Sequence, residues 1–324
     1  MRALALLAAS LVLSLALAEW GLRRAEPLWR IRYPPVCYRP DLYQRFDAYG
    51  YRLWPSRRMQ HRHPREGGRT VTIVSNADGF RTRGLRAADP RPRVVFLGDS
   101  MVFGVGVEAV ERLTERLEAL EPGWRVDNLG MVGYGPDLML RALETVGLEP
   151  APAVVVMALF SHDLYRVVPE ASGVGFPIPR YRLEDGWLVT VPYPTPHPWE
   201  RLLLVQGLRY VYFRYTDTTF ALNAAILGRF RTLGRERGFT PAVAFLPGPR
   251  ERFDDRRRRA FLHGWAGQHA TPFLDLTNAV RAAGGVRLYL PDDAHWNPEG
   301  HAVAAAALRQ WLAELVPGPR VQRD

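Results

Sequence analysis

Residues 94–104 read VVFLGDSMVFG, an apolar run that is broken by a glycine, an acid and a hydroxyl. The run begins with two β-branched valines, which is typical of a strand buried on both faces of a parallel sheet. Gly98 permits a sharp change of direction, so we expect Ser100 at the carboxyl end of this strand, where open parallel α/β sheets bind ligands. A turn in which Asp99 and Ser100 cap the next helix also explains the tripeptide. Its interpretation therefore depends on partner residues elsewhere in the chain.

Strand-like and helix-like segments alternate along most of the sequence. Apolar runs predict further strands at residues 125–129, 153–160, 242–246 and 272–276. Apolar residues at helical spacing predict helices near residues 110–120, 138–146, 221–237 and 297–315, with an arginine-rich helix around residues 254–259. Repeated β-α units of this kind predict a three-layer, flavodoxin-like α/β fold in which helices cover both faces of a parallel sheet.

An insertion interrupts this alternation after the third predicted strand. It spans about residues 164–217 and contains a hairpin signal, YRLEDGWLVTV, with Asp185 and Gly186 at its turn. Residues 25–93 are rich in proline, tyrosine and arginine and are expected to form an ordered lead-in. The predicted organisation is an N-terminal segment (1–24), the lead-in (25–93), a main domain (94–316) and a tail (317–324).

The N-terminal segment contains a predominantly apolar run over residues 3–18, with no charged residue, after Met1 and Arg2. A charged start, an apolar middle and small residues at positions 16 and 18 are typical of a secretory signal, and continuation through Leu22 makes a slightly short membrane anchor. A buried soluble helix is the alternative, but no polar face interrupts the run. We therefore expect an exported protein that is either anchored on the extracytoplasmic side of the membrane or secreted after cleavage at Ala18.

The chain is basic, with a formal net charge of +10, and its positive side chains other than histidine are all arginine. The absence of lysine excludes a Schiff-base lysine, a Walker-type phosphate lysine and a serine–lysine dyad. The densest arginine run, residues 256–259, follows two aspartates in a predicted helix and indicates a solvated helix face, so we expect no nucleic-acid partner. The single cysteine, Cys37, excludes an internal disulfide.

Partners for Ser100 are found near the C-terminus, in the stretch LPDDAHWNPEGH at residues 290–301. A serine becomes a good nucleophile when an imidazole accepts its proton and a carboxylate holds the imidazole in the right tautomer. Asp292 and His295 can supply both groups from one loop. A surface histidine and a metal site using His295, His301 and an aspartate are the alternatives, although no third ligand with standard spacing follows.

Together these segments resemble the GDSL, or SGNH, hydrolase family. Gly98-Asp99-Ser100 is similar to the family's first block, and NLGMVGYG at residues 128–135 is similar to its second. Residues 292–295 are similar to the last block, in which an aspartate three positions before the histidine completes a catalytic triad. The resemblance extends in order over residues 94–315, and the lead-in and insertion resemble a membrane-anchored bacterial branch.

This resemblance implies a catalytic triad of Ser100, Asp292 and His295, with no cofactor and no metal. It also implies an oxyanion hole made by the backbone N–H groups of Ser100 and Gly133. The family's third block has an asparagine before an aspartate, whereas ALFSHDLY places His162 there. A histidine can donate one N–H, so His162 is expected to contribute to the hole with altered pH behaviour.

The function implied is that of an exported, membrane-tethered serine esterase acting on O-acyl groups of a carbohydrate or lipid. Two alternatives stay open, namely an O-acyltransferase that passes the same acyl group to an envelope glycan, and a non-catalytic envelope binding domain with a degenerate site. The acyl group, its acceptor and the oligomeric state are not fixed by these patterns.

Overall fold

The computed structural model describes residues 2–32, 41–62, 68–167, 179–191 and 197–317. Cys37 and the predicted tail from residue 318 onward lie outside these ranges. The strands are β1 (Tyr43–Phe46), β2 (Gly50–Leu53), β3 (Arg58–Arg62), β4 (Thr70–Val74), β5 (Arg93–Gly98), β6 (Arg125–Gly130), β7 (Val154–Phe160), β8 (Arg180–Glu184), β9 (Trp187–Val191), β10 (Thr240–Leu246) and β11 (Phe273–Asp275). The α-helices are α1 (Arg2–Arg32), α2 (Ser100–Phe103), α3 (Leu113–Leu120), α4 (Pro136–Ala142), α5 (Leu203–Tyr215), α6 (Phe220–Arg237), α7 (Phe253–Gln268), α8 (Thr277–Ala283) and α9 (Pro298–Leu312).

The central sheet consists of five parallel strands in the order β6-β5-β7-β10-β11. Counted along the chain from β5, this order is 2-1-3-4-5, the flavodoxin-like arrangement. Every residue of β5, β6 and β7 is buried, as expected for strands covered on both faces. The predicted fold class is therefore confirmed, and the point where the strand order reverses lies between β5 and β7.

Side chains that alternate along each strand enter two separate apolar layers. Val95 and Leu97 of β5 pack in the layer that contains α4, α6 and α7. Val94 and Phe96 pack in the opposite layer, with α3, α8 and α9. This period of two, with helices on each side, is the physical basis of the three-layer fold.

The lead-in packs against the same core as the central sheet. Residues Tyr49, Tyr51 and Leu53 are completely buried and belong to the apolar layer of α4 and α6. Tyr51 Oη donates to the carbonyl oxygen of Val132 at 2.5 Å, and Tyr134 Oη donates to the carbonyl oxygen of Tyr51 at 2.6 Å. The lead-in thus supports the loop that follows β6.

The insertion is attached to this core by a buried ion pair. Its predicted hairpin is present as β8 and β9, and Asp185 and Gly186 both adopt positive φ at the turn, as Asp-Gly hairpin turns require. Arg180, the first residue of β8, donates to Asp137 Oδ2 of α4 at 3.1 Å. Residues 168–178 and 192–196 of the predicted insertion lie outside the described ranges.

Helix α1 carries the apolar N-terminal run. Residues 2–25 are long and apolar enough to cross a membrane, and the most apolar stretch is not buried against the rest of the protein. Such a helix is compatible with a signal sequence or a membrane anchor.

Candidate active site

Ser100 lies where β5 ends and α2 begins, at the predicted edge of the sheet. Gly98 is required there because a Cβ atom would come within 2.2 Å of the Val102 side chain. Asp99 Oδ1 accepts the backbone N–H of Met101 at 2.8 Å and so caps α2. The capping interpretation of Asp99 is therefore correct, while the Ser100 hydroxyl faces a different partner.

That partner is His295. Its Nε2 lies 2.8 Å from Ser100 Oγ, and its Nδ1 lies 2.5 Å from Asp293 Oδ1. The backbone N–H of His295 also donates to Asp293 Oδ1 at 3.0 Å. A carboxylate on Nδ1 keeps the proton on that nitrogen, which leaves Nε2 free to accept the proton of the serine hydroxyl.

The acid in this arrangement is Asp293 and not the predicted Asp292. Asp292 adopts a left-handed backbone conformation with φ of 52° and is exposed, whereas the side chain of Asp293 is only 10% exposed. The turn between Leu290 and His295 causes the difference, because it directs the second aspartate under the imidazole. The prediction placed the acid three residues before the histidine, whereas the carboxylate that contacts the ring in this structure lies two residues before it.

The loop that carries His295 is fixed at both ends. Tyr289 and Trp296 form an antiparallel bridge, and the Trp296 side chain is completely buried. Asn297 Oδ1 accepts the backbone N–H of Gly300 at 2.9 Å and caps α9, so the last helix anchors the loop as predicted. These contacts on both sides of His295 restrict the orientation of the loop that carries its imidazole.

Gly133, the predicted oxyanion donor, lies in the loop after β6 with φ of 83°. A side chain there would be strained, and its Cβ would also approach Tyr51 Oη to 3.0 Å. The backbone N–H of Met131 donates to the carbonyl oxygen of Gly98 at 3.0 Å, which joins this loop to the end of β5. The donor roles of Ser100 and Gly133 remain predictions.

His162 lies in a short 3₁₀ turn after β7, between the rings of Phe160 and Tyr165. One ring nitrogen of His162 lies close to two carboxylates, those of Asp254 and Asp255. This nitrogen and one oxygen from each carboxylate all lie within 4.8 Å of one another. Both acids, at the start of α7, already have partners, because Asp254 pairs with Arg258 at 3.1 Å and Asp255 caps the helix. The sequence did not predict that these two aspartates lie beside His162, although two adjacent acids are a recognisable pattern at the start of a helix.

A half-buried guanidinium, that of Arg166, joins the loops that follow β5, β6 and β7. Arg166 Nη1 donates to Asp99 Oδ2 at 2.9 Å, to Asp163 Oδ1 at 2.5 Å and to the carbonyl oxygen of Tyr134 at 3.3 Å. The same Asp99 Oδ2 lies 3.3 Å from Ser100 Oγ. No sequence signal identified Arg166, whose three contacts come from separate parts of the chain.

Asp163 also braces the end of β7, because its Oδ2 accepts the backbone N–H of Phe160 at 2.9 Å. Burial raises the pKa of this carboxyl well above its usual range, and the neighbouring charge of Asp99 adds to the effect. The positive charge of Arg166 lowers the pKa of Asp163 and so opposes that shift. The same guanidinium pairs with the carboxylates of both Asp99 and Asp163.

His301 has partners in the protein core other than His295. Its Nδ1 accepts the backbone N–H of Leu113 at 3.2 Å, and its ring packs edge-on against Trp296. Burial lowers the pKa of His301 to about 3, so the ring is neutral at pH 7. The metal alternative that paired His301 with His295 is therefore not supported by the position of His301.

No protein-family model and no curated protein matches the chain. Several solved structures are similar to this chain. The lipase/acylhydrolase from Enterococcus faecalis is 14% identical with a TM-score of 0.46, and the alignment covers 71% of this chain and 100% of that one. A lipolytic protein of the G-D-S-L family from Veillonella parvula DSM 2008 is 14% identical with a TM-score of 0.43, covering 69% and 99%. The psychrotrophic esterase EstA from a Pseudoalteromonas species is 12% identical with a TM-score of 0.43, covering 70% and 98%.

Proposed function

We propose that this chain is a serine hydrolase that cleaves ester bonds, with Ser100 as the nucleophile and His295 as the general base. The observation that carries the proposal is the continuous contact from Ser100 Oγ to His295 Nε2, at 2.8 Å, and from His295 Nδ1 to Asp293, at 2.5 Å. Nucleophile, base and orienting acid are in the order that acyl transfer requires. Asp293 replaces the predicted Asp292 in this role.

The reaction follows from this geometry. Ser100 Oγ attacks the ester carbonyl carbon while its proton passes to His295 Nε2, and the resulting imidazolium is stabilised by Asp293. The oxyanion accepts hydrogen bonds from the backbone N–H groups of Ser100 and Gly133, with His162 as the third donor. When the tetrahedral intermediate collapses, His295 gives the proton to the leaving alkoxide, and an acyl-serine remains. Water, deprotonated by His295, then releases the carboxylic acid and restores the serine.

The substrate in this proposal is an O-acyl ester of a carbohydrate or lipid outside the cytoplasm. Helix α1, with its exposed apolar residues, supports a membrane tether for the domain that carries Ser100. A glycan hydroxyl in place of water at the second step would make the same protein an acyltransferase, because both reactions share the acyl-serine. Product analysis with an added glycan acceptor separates the two, since hydrolysis yields free acid and transfer yields a new ester.

The proposal is tested by hydrolysis of an activated short-chain ester. We expect Ser100→Ala to lose turnover while the protein stays folded, because the hydroxyl is the nucleophile. Ser56, an exposed serine in a turn of the lead-in, provides the control, and Ser56→Ala should retain turnover. Equal activity of wild type and Ser100→Ala would reject the assignment.

A further inference from the structure

Helix α5 exposes an apolar stripe. Leu208, Val211, Tyr212 and Tyr215 lie at positions i, i+3, i+4 and i+7 and so share one face of the helix. Their side chains are 62%, 52%, 52% and 51% exposed, respectively. Exposed apolar residues that share one helix face mark an interaction surface more than apolar residues scattered singly do. We therefore expect this stripe to contact another molecule or surface.

The start of α5 is tied to the end of the apolar run in α1. The Glu19 carboxylate accepts the backbone N–H groups of Leu203 and Leu204, both at 3.0 Å. These N–H groups belong to the first turn of α5, which has no intrahelical acceptors for them and carries the positive end of the helix dipole. Arg23 also pairs with Glu19, at 2.7 Å. The position of α1 in a membrane would thus fix the position of α5.

In a chain anchored by α1, the length of this helix would place the junction at the membrane surface. The apolar run of residues 3–18 spans about 24 Å as a helix, somewhat less than the roughly 30 Å hydrocarbon core of a bilayer. Glu19 follows this run directly, so in a membrane-anchored chain it would lie at the boundary of the hydrocarbon. Trp20 is 60% exposed, and the guanidinium of Arg24 lies over its ring at 5.3 Å. Tryptophan and arginine are typical of the membrane–water interface.

The residues around the stripe have the chemistry of an interfacial segment. Trp199 and Leu202, just before α5, are 53% and 38% exposed. Arg209 lies on α5 itself, and its guanidinium is 5.9 Å from the ring of Phe213. Arginine beside exposed aromatic and aliphatic side chains favours a surface of anionic lipid headgroups over a wholly apolar protein partner.

The other end of α5 is held to the main domain. Arg257 of α7 donates to the carbonyl oxygen of Tyr215 at 2.8 Å and pairs with Asp217 at 2.5 Å. Helix α5 is therefore attached at its start to α1 and at its end to α7, the helix whose first turn lies beside His162.

We propose that α5 is an interfacial helix that lies on the bilayer surface beside α1, with the stripe in the headgroup region. The occupant is the anionic phospholipid membrane that holds α1, so this inference rests on the proposed membrane tether. It adds a second contact with the membrane, and that contact orients the active-site domain relative to the lipid surface.

The test uses the full chain, with Cys37 replaced by serine, in vesicles of phosphatidylcholine and phosphatidylglycerol. Single cysteines carry an environment-sensitive fluorophore, and lipids with a nitroxide on the acyl chain act as quenchers. Val211→Cys reports on the stripe, and Leu11→Cys reports on the anchor. Val286→Cys is the matched control, because Val286 is 56% exposed on the main domain and Val211 is 52% exposed.

We expect lipid quenching at positions 11 and 211 and none at position 286. Quenching at position 11 but not at position 211 would overturn the interfacial helix and leave the anchor intact. If position 11 also escapes quenching, the anchor itself fails, and the inference fails with it. Protection of position 211 from an aqueous quencher without lipid quenching would indicate a protein partner and would equally overturn the proposal.

A second variant tests the junction. Glu19→Ala removes the acceptor for the first N–H groups of α5, so lipid quenching at position 211 should fall while quenching at position 11 is retained. Unchanged quenching at both positions would show that Glu19 does not place α5 at the membrane.

Discussion

Asp293 Oδ1 and His295 Nδ1 lie 2.5 Å apart although only one residue separates them in the chain. The same oxygen accepts the backbone N–H of His295, so a single carboxylate fixes both the main chain and the ring. In the proposed mechanism this relationship, together with the contact between Nε2 and Ser100 Oγ, sets the tautomer that acyl transfer needs.

The adjacent aspartates provide a matched pair for testing that relationship. We expect Asp293→Asn to lower kcat by about 10⁴ with little change in KM, because the amide leaves the imidazole in the wrong tautomer. Asp292→Asn should stay near wild type, since Asp292 is exposed at the turn. Steady-state kinetics on one activated ester compares the three proteins. A larger loss in Asp292→Asn would identify Asp292 as the acid instead.

His162 is expected to act as a hydrogen-bond donor to the oxyanion. Substitution by alanine should lower kcat by about 10²–10³ with little effect on KM, because the bond strengthens only as charge develops. His162→Asn should restore turnover and remove any limb of the pH–rate profile that histidine protonation controls. Equal kcat–pH profiles for wild type and both variants would remove His162 from the mechanism.

Arg166 is expected to be a positioning residue for Ser100. Without its guanidinium, Asp99 Oδ2 can accept the serine hydroxyl in competition with His295, so Arg166→Met should lower kcat more than it changes KM. It should also destabilise the fold by about 3–5 kcal/mol, because buried carboxylates lose their cation. Urea unfolding measures the second effect.

A double substitution separates these two consequences. Arg166→Met combined with Asp163→Asn should recover much of the lost stability, because one buried charge is removed along with the cation. The kcat should stay low, since Asp99 is still unpaired. A double variant with no recovery of stability would show that Asp163 does not depend on Arg166.

His301 is expected to make the folded protein sensitive to acid. Burial lowers its pKa from 6.5 to about 3, so between these values the unfolded state binds more protons than the folded state. The stabilisation is fully present above pH 6.5 and is lost as the pH falls, by at most about 1.4 kcal/mol per pH unit for this one group, before levelling off near pH 3.

His301→Asn should flatten that dependence, because an amide oxygen can still accept the Leu113 N–H and does not titrate in this range. His263 is an exposed histidine on α7, and His263→Asn should leave the dependence unchanged. Unfolding free energies at pH 7, 6 and 5 make the comparison. Parallel pH curves for wild type and His301→Asn would contradict the assignment.

Local patterns predicted the parts of this molecule that depend on neighbouring residues. The apolar run before Gly98 predicts a buried strand. The alternation of predicted strands and helices along the chain predicts a parallel sheet, with Ser100 at the carboxyl edge. The sequence also predicts His295 as a partner of Ser100, because the serine needs an imidazole and the loop ahead of α9 offers one, and the structure brings the two side chains into contact.

Features that depend on backbone conformation or on distant contacts were not predictable in this way. The choice between Asp292 and Asp293 depends on one left-handed residue in a turn, which sequence spacing does not reveal. Arg166 and Asp254 reach the site only after folding, from a loop and from a helix that carry many other charged residues. The hydrogen bond from Tyr51 to Val132 likewise joins residues 81 positions apart.

Covalent capture of the nucleophile tests the central claim most directly. The full-length protein is treated with a fluorophosphonate, digested, and mapped by mass spectrometry, with His295→Asn treated in parallel. We expect one adduct, on the peptide that contains Ser100, and a strongly reduced yield in the variant because the serine has lost its base. An adduct on any other residue, or an equal yield in the His295 variant, would contradict the assignment of Ser100 and His295 as nucleophile and base.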